Sequence, residues 1–392
     1  MANKRVFYAC EAVAIGPINP ENEAQALSLS FVHGVQSVGI TTNFNVEAIF
    51  ELGQSAPYDQ IETNPEIEVT LEKVIDGYQF IYRMATHNVN NALINSLDGR
   101  LKQRCNVAMA IGNDESTAIS GGVGAPNVEM FMSGMYVNSV SYTFPADGNA
   151  TESVTLVGNN KTWNVAGVAF DNSTTTGLKA NAGMRAFNTG LIDDIKQYNG
   201  PNTDFNEDFP IGLGGIVRRE DVLMNLSVIP DCIFGVTPKV SNPSHPVGYL
   251  AGNNWDQLAG RPRAHITNIT ISMGDAGRED IYELGHKDPY YKSAAGSKEV
   301  TAEIEVATVS GDFLGIYSDR DTSPQQPIYL TLTNGATFNL GPNNKVTSVS
   351  YGGGEAGGGN LTITYSFTNQ NFLEVTSPTG FQPTTSAQQY PR

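Results

Sequence analysis

Positive charge is scarce in this chain of 392 residues. Lys and Arg number 23 against 40 Asp and Glu, a net charge of −17. Duplex affinity comes mainly from Lys and Arg neutralising phosphates, so the balance argues against a protein that grips nucleic acid, while an acidic wall past which it slides remains open. Charged residues of either sign make up only 16%, against roughly 25% in ordinary soluble chains, so Ser, Thr, Asn and Gly must dress the surface. Cysteine is scarce too. Cys10, Cys105 and Cys232 are odd in number, far apart and outside any CxxC spacing, which predicts reduced thiols and excludes a disulfide frame or a zinc site. No run approaches the roughly 20 apolar residues of a membrane span. The polar start, with Lys4, Arg5 and Glu11, lacks the apolar core of a signal peptide, so synthesis in a cytoplasm is expected.

Recognisable chemistry is also missing. His33, His87, His245, His265 and His286 share no metal-ligand spacing. The glycine runs at 121–124 and 352–359 lack the Lys of a phosphate loop, and the second lies between two strand patterns, as a hairpin tip would. Asn202, Asp204, Asn206 and Asp208 hint at calcium, but both possible registers fail at the positions where an EF-hand needs Gly and Glu. No GxSxG elbow occurs, and Asp193-Asp194 and Asp319/Asp321 have no base beside them. The sequence predicts no catalytic, metal or cofactor site, and not an enzyme.

What is present is alternation of period two. Around 361–367 apolar Leu361, Ile363, Tyr365 and Phe367 alternate with Thr362, Thr364 and Ser366, the pattern of a half-buried strand. Residues 36–42, 66–71, 265–272, 300–306 and 328–332 read the same way, each bounded by Gly, Pro, Asn or Asp. Only 91–103 and 190–198 predict short helices. With 40% hydrophobic residues a sizeable core is available, so the fold class is mainly β, with one or two small helices.

The strands also repeat. Glu51-Leu52-Gly53 with Pro57-Tyr58 recurs as Glu283-Leu284-Gly285 with Pro289-Tyr290, at an offset of 283 − 51 = 232. Glu66-Ile67-Glu68-Val69 recurs as Glu303-Ile304-Glu305-Val306, and Val137-x-Ser139-Val140-Ser141-Tyr142 as Val346-x-Ser348-Val349-Ser350-Tyr351. One β domain used twice is expected, with these parts: an N-terminal arm 1–30, a first domain 31–164, a linker or insertion 165–215, a second domain 216–376 and a flexible tail 377–392. Repeating a β unit around a ring lets each open sheet edge find a neighbour.

These segments resemble the bacteriophage tail tube protein family. Residues 34–44, Glu51-Leu52-Gly53, Pro57-Tyr58 and 66–73 look like its opening hairpin, and 139–145 running into 151–158 looks like a later one. In the second copy 277–285 and 348–354 carry the same likeness. It covers most of 31–164 and 262–376 and is weak over 165–215. The resemblance implies two tandem β-sandwich or split-barrel domains in a structural protein of the virion. It implies partners too: further copies of the chain in trimeric rings of pseudo-sixfold symmetry or in hexameric rings, stacked into a tube that genomic DNA traverses at infection. Tail sheath, terminator, baseplate or tip proteins and, during assembly, a tape measure protein would adjoin it. The doubling and the 165–215 segment depart from the simple pattern and leave subunit count and outer decoration open.

Two sets of site residues follow. If Ile67, Val69, Ile304 and Val306 face the core, alternation sends Glu66, Glu68, Glu303 and Glu305 the other way. A carboxylate-lined lumen repels phosphate, so these four are candidates for its wall; outer solvent or a subunit contact is the alternative. The loop at 50–64, with Phe50, Leu52, Pro57 and Tyr58, would by resemblance stack one ring on the next. Its counterpart at 282–298 carries Tyr282, Leu284, Pro289 and Tyr290. The rival readings are a virion decoration module or an adaptor forming a single ring at a tube end. A carbohydrate-binding platform finds little support in Trp163 and Trp255, which lie far apart in the sequence.

Overall fold

The computed structural model describes residues 11–17, 30–86, 97–111, 128–165, 215–224, 226–230, 233, 264–285, 289, 291–294, 296–308, 326–353, 361–376 and 378. It is mainly β, with several antiparallel sheets and two short helices. The helix expected at 190–198, the acidic loop at 202–208 and most of 165–215 lie outside the described residues. Of the helix expected over 91–103, residues 97–103 are described, and α2 occupies Leu97–Leu101.

Alternating sequence becomes alternating burial. Strand β6 (Glu66–Val74) buries Ile67, Val69 and Leu71 and exposes Glu66, Glu68 and Glu72. It pairs with β3 (Val35–Asn43) on one side and β9 (Thr151–Gly158) on the other. Strand β9 in turn pairs with the C-terminal half of β8 (Val128–Pro145). Later in the chain, β14 (Glu299–Thr308) pairs with β11 (Ala264–Met273) and with β18 (Thr362–Gln370), and β18 pairs with β17 (Lys345–Gly352). The pairing order β3–β6–β9–β8 is thus repeated as β11–β14–β18–β17.

The registers repeat as well, down to the irregularities. Gln36 is skipped between Val35↔Lys73 and Ser37↔Glu72, and Thr267 between Ile266↔Val306 and Asn268↔Glu305. Asn138 and Thr347 are skipped in the same way between β8 and β9 and between β17 and β18. Such bulges fix register, because a one-residue slip would send every side chain to the wrong face. They also correct an alignment expected from sequence. Matching the bulges gives Glu305 the place of Glu72 and Glu303 that of Thr70, so the two Glu-Ile-Glu-Val runs sit four residues out of step.

Strand β8 joins the two sets. Its residues Val140 to Pro145 pair antiparallel with β11 from Met273 back to Asn268, giving one eight-strand path β3–β6–β9–β8–β11–β14–β18–β17. The N-terminal half of β8 pairs with β10 (Asn160–Val165) and β7 (Cys105–Ile111), and β7 leads to β1 (Glu11–Pro17) and β2 (Ser30–Phe31), completing a 12-stranded sheet. One face of this sheet packs on a small sheet of β15 (Tyr329–Thr331), β16 (Thr337–Asn339) and β19 (Glu374–Val375). Phe338 of β16 meets Phe80, Tyr142 and Phe144 edge-on, with ring centroids 4.8–5.4 Å apart, a geometry that favours aromatic contact beyond simple burial.

A buried polar cluster pins helix α1 (Ile81–Ala85) beneath this sheet. The Glu152 carboxylate accepts hydrogen bonds from the Ile81 and Tyr82 amides (2.7 and 3.1 Å) and from the Tyr142 hydroxyl (3.0 Å). Lys73, directly across the strand pair from Glu152, donates to Asp76 and to the Gln79 carbonyl. Burial raises the Glu152 pKa, against the pull of Lys73 and the hydrogen bonds. A five-residue helix is too short to stand alone; here a distant carboxylate satisfies its first amides.

Candidate assembly surface

The face of the eight-strand path turned away from the core is built of small polar and acidic side chains. Directly opposed residues share a face, and Glu72, Ser153, Ser141, Ser272, Thr301 and Thr368 follow one another across six strands. Ser272 and Thr301 share a hydrogen bond of 2.6 Å across this face. Glu66, Glu68 and Glu303 are exposed on it and Glu305 is half-buried. The expected alternation holds for all four, with the core taking Ile67, Val69, Ile304 and Val306.

The stretch 50–64, expected as a loop, is largely a strand pair. Strands β4 (Val46–Phe50) and β5 (Pro57–Glu62) form a two-stranded ribbon exposed along both faces. A second ribbon pairs β12 (Arg278–Ile281) with β13 (Tyr291–Ala294) in matching register: Ile49 opposes Asp59 as Ile281 opposes Tyr291. Both tips carry a Leu-Gly turn. Gly53 and Gly285 take φ of 93° and 91°, which glycine alone adopts without cost. The preceding side chains, Leu52 and Leu284, are each 103% exposed. Phe50, Pro57, Tyr58 and Tyr282 are exposed beside them, Pro289 is half-buried, and Tyr290 lies outside the described residues.

The two ribbons differ in what they touch. The second is docked on the first strand set: Arg278 lies 4.6 Å from the Tyr136 ring and donates to the Leu101 and Val137 carbonyls at 2.7 and 2.6 Å. Burial lowers the Arg278 pKa to about 10. Tyr291 meets Tyr136 edge-on at 6.1 Å, and Lys292 pairs with Asp280 at 2.7 Å. Sequence reasoning missed this group, since nothing local marks Arg278 and Val137 as neighbours across 141 residues. The first ribbon's solvent-facing strands leave Val46, Ile49, Phe50 and Ile61 uncovered.

Strands β3 and β17, at the ends of the eight-strand path, pair with no further strand among the described residues. Tyr142 and Tyr351 hold matching positions, but Tyr142 under β11 is 0% exposed and Tyr351 on the open edge 54%. Among the described residues no cluster of His, Cys, Asp or Glu is placed to hold a metal, and no helix there is long and apolar enough to cross a membrane. Cys105 is buried, its thiol pushed up to about 12 by desolvation, which removes it from thiolate chemistry.

No family model matches the sequence, and no curated protein does. Solved structures similar to it include the tube-terminating cap of the anti-feeding prophage (14% identity, TM-score 0.29, covering 42% of this chain and 95% of that one). A chain of the anti-feeding prophage baseplate shares 11% identity at a TM-score of 0.30, covering 43% of this chain and 100% of its own length. The sheath–tube complex of an extracellular contractile injection system gives 13% identity, a TM-score of 0.28, and coverage of 42% and 95%. At TM-scores this low the likenesses carry no weight for this chain's role.

Proposed function

We propose that the chain is a structural subunit of a phage-type tail, in which its two four-strand sets act as tandem tube domains. Chains join edge to edge into rings, and the rings stack into a hollow tube that genomic DNA traverses. The observation that carries this reading is the junction of β8 with β11: two like strand sets already meet side by side, and the same two kinds of edge are left open at β17 and β3. An open, alternating edge is a template for another strand, and a head-to-tail contact that closes produces a ring. The lumen then falls to the Ser, Thr and Glu face, with Glu66, Glu68, Glu303 and Glu305 as its carboxylates. DNA slides past such a wall because no counterions are released by contact. The Leu52 and Leu284 tips serve ring stacking.

Negative-stain electron microscopy of the purified protein over a concentration series, with end-on averaging, tests the proposal. Hollow tubes with threefold or pseudo-sixfold projections are expected. Single rings that never stack would assign the chain to a tube end instead. Uniform small particles at every concentration, with or without tail tips as seeds, would refute the ring reading altogether.

A further inference from the structure

The internal junction is a template for the contact between chains, and it specifies that contact residue by residue. Two correspondences are fixed by pairing register. Tyr136 faces Val157 one step before a bulge-bearing pair, as Lys345 faces Thr368, so Lys345 occupies the place of Tyr136. Asp59 opposes Ile49 in the first ribbon as Tyr291 opposes Ile281 in the second, so Asp59 occupies the place of Tyr291. Within the chain, Tyr136 and Tyr291 meet as an aromatic pair. Between chains the same two places bring together a cation and an anion.

We propose that the β17 edge of one chain receives β3 of a second copy in the register of the internal junction, locked by an ion pair between Lys345 and Asp59 of the neighbouring copy. The proposal rests on the reading of the chain as a ring subunit. Transferring Ile271↔Tyr142, Ser272↔Ser141 and Met273↔Val140 gives Ile40 opposite Tyr351, Thr41 opposite Ser350 and Thr42 opposite Val349. Side chains now uncovered are then covered. Tyr351 takes the buried place of Tyr142, and half-buried Val38 and Ile40 take those of buried Ile269 and Ile271. Lys345 and Asp59 are both exposed in the isolated chain and neither is in an ion pair among the described residues. Aromatic pairing inside and charge pairing outside would also keep the two kinds of junction distinct, since a like-charge or unmatched contact rejects the wrong register.

Charge exchange tests this. D59K and K345D should each raise the critical concentration for assembly by up to about fivefold, the effect of one exposed ion pair lost at each junction, while D59K/K345D returns it toward wild type. Circular dichroism of the single variants should match wild type, because both side chains are exposed. In the T41C/S350C double variant, oxidation should give a ladder of covalently joined chains on non-reducing gels; T41C/S348C, out of register by two, should give none. Wild-type assembly with D59K, K345D and the double variant alike in critical concentration, and no cross-link from T41C/S350C, would overturn the register and leave the ring reading standing. Failure of the wild type to assemble under any condition would overturn both.

Discussion

Replacing the two tip leucines should abolish ring stacking without touching the fold. Leu52 and Leu284 are each 103% exposed, so in the isolated chain they contribute no packing that L52S/L284S could remove. Fully burying one Leu side chain is worth about 1.5–3 kcal/mol. Two tips per chain therefore supply at most about 3–6 kcal/mol to each chain's share of a ring-to-ring contact, before ordering costs are subtracted. At about 1.4 kcal/mol per decade, their loss raises the concentration needed for stacking by up to roughly 10²- to 10⁴-fold. Sedimentation of assembled material over a concentration series measures that threshold, and microscopy separates tubes from free rings. The expected result is a melting temperature within a degree or two of wild type, with rings that no longer stack. Tubes of ordinary length at the wild-type threshold would refute the assignment of the tips to stacking. A large drop in melting temperature would instead mean that the leucines pack within the chain.

Arg278→Ala removes the charge-assisted hydrogen bonds to the Leu101 and Val137 carbonyls, each worth about 1.5–3 kcal/mol, and should bring new protease sensitivity to the ribbon at 278–294; Arg278→Lys should rescue little, since an ammonium lacks the planar fork. Glu152 has a pKa raised by burial above its ordinary value of 4.5, so the stability it contributes is fully present below that value and is lost as pH rises through the raised one. Urea midpoints of wild type relative to Glu152→Gln should accordingly fall as pH increases across that window, and a difference independent of pH would refute the assignment. A quadruple variant, E66K/E68K/E303K/E305K, should turn assembled tubes into DNA binders whose affinity falls steeply with salt, while wild-type tubes bind none; equal, negligible binding by both in filter assays would move these side chains out of the lumen.

Much of the β architecture was legible because half-buried strands write their faces into the sequence. Residues 36–42, 66–71, 265–272, 300–306 and 361–367 all fall within or against strands of the sheet. The repeated motifs fall in strands that recur in the same pairing order, but their alignment at Glu66 and Glu303 was four residues out. An even slide preserves the inward and outward alternation, so composition cannot detect it. The bulges at Gln36, Thr267, Asn138 and Thr347 set the register, and a bulge has no residue signature of its own. Strands β1 and β7 escaped notice because Ala, Gly and Met interrupt any clean period. Helix α1 escaped because its support, Glu152, lies 70–71 residues away in sequence. The ribbon tips were found as motifs, yet the docking of one ribbon through Arg278 and Tyr136 depends on contacts that only folding creates.

The junction between β8 and β11 has a further consequence for counting and for entropy. Because it is made inside one polypeptide, it forms with no loss of translational freedom when chains meet. Only every second seam of a closed circle would then require an encounter between molecules, and each such encounter would bring two sectors of the wall at once. A circle built this way contains an even number of sectors. It also cannot be lengthened or trimmed by a single one.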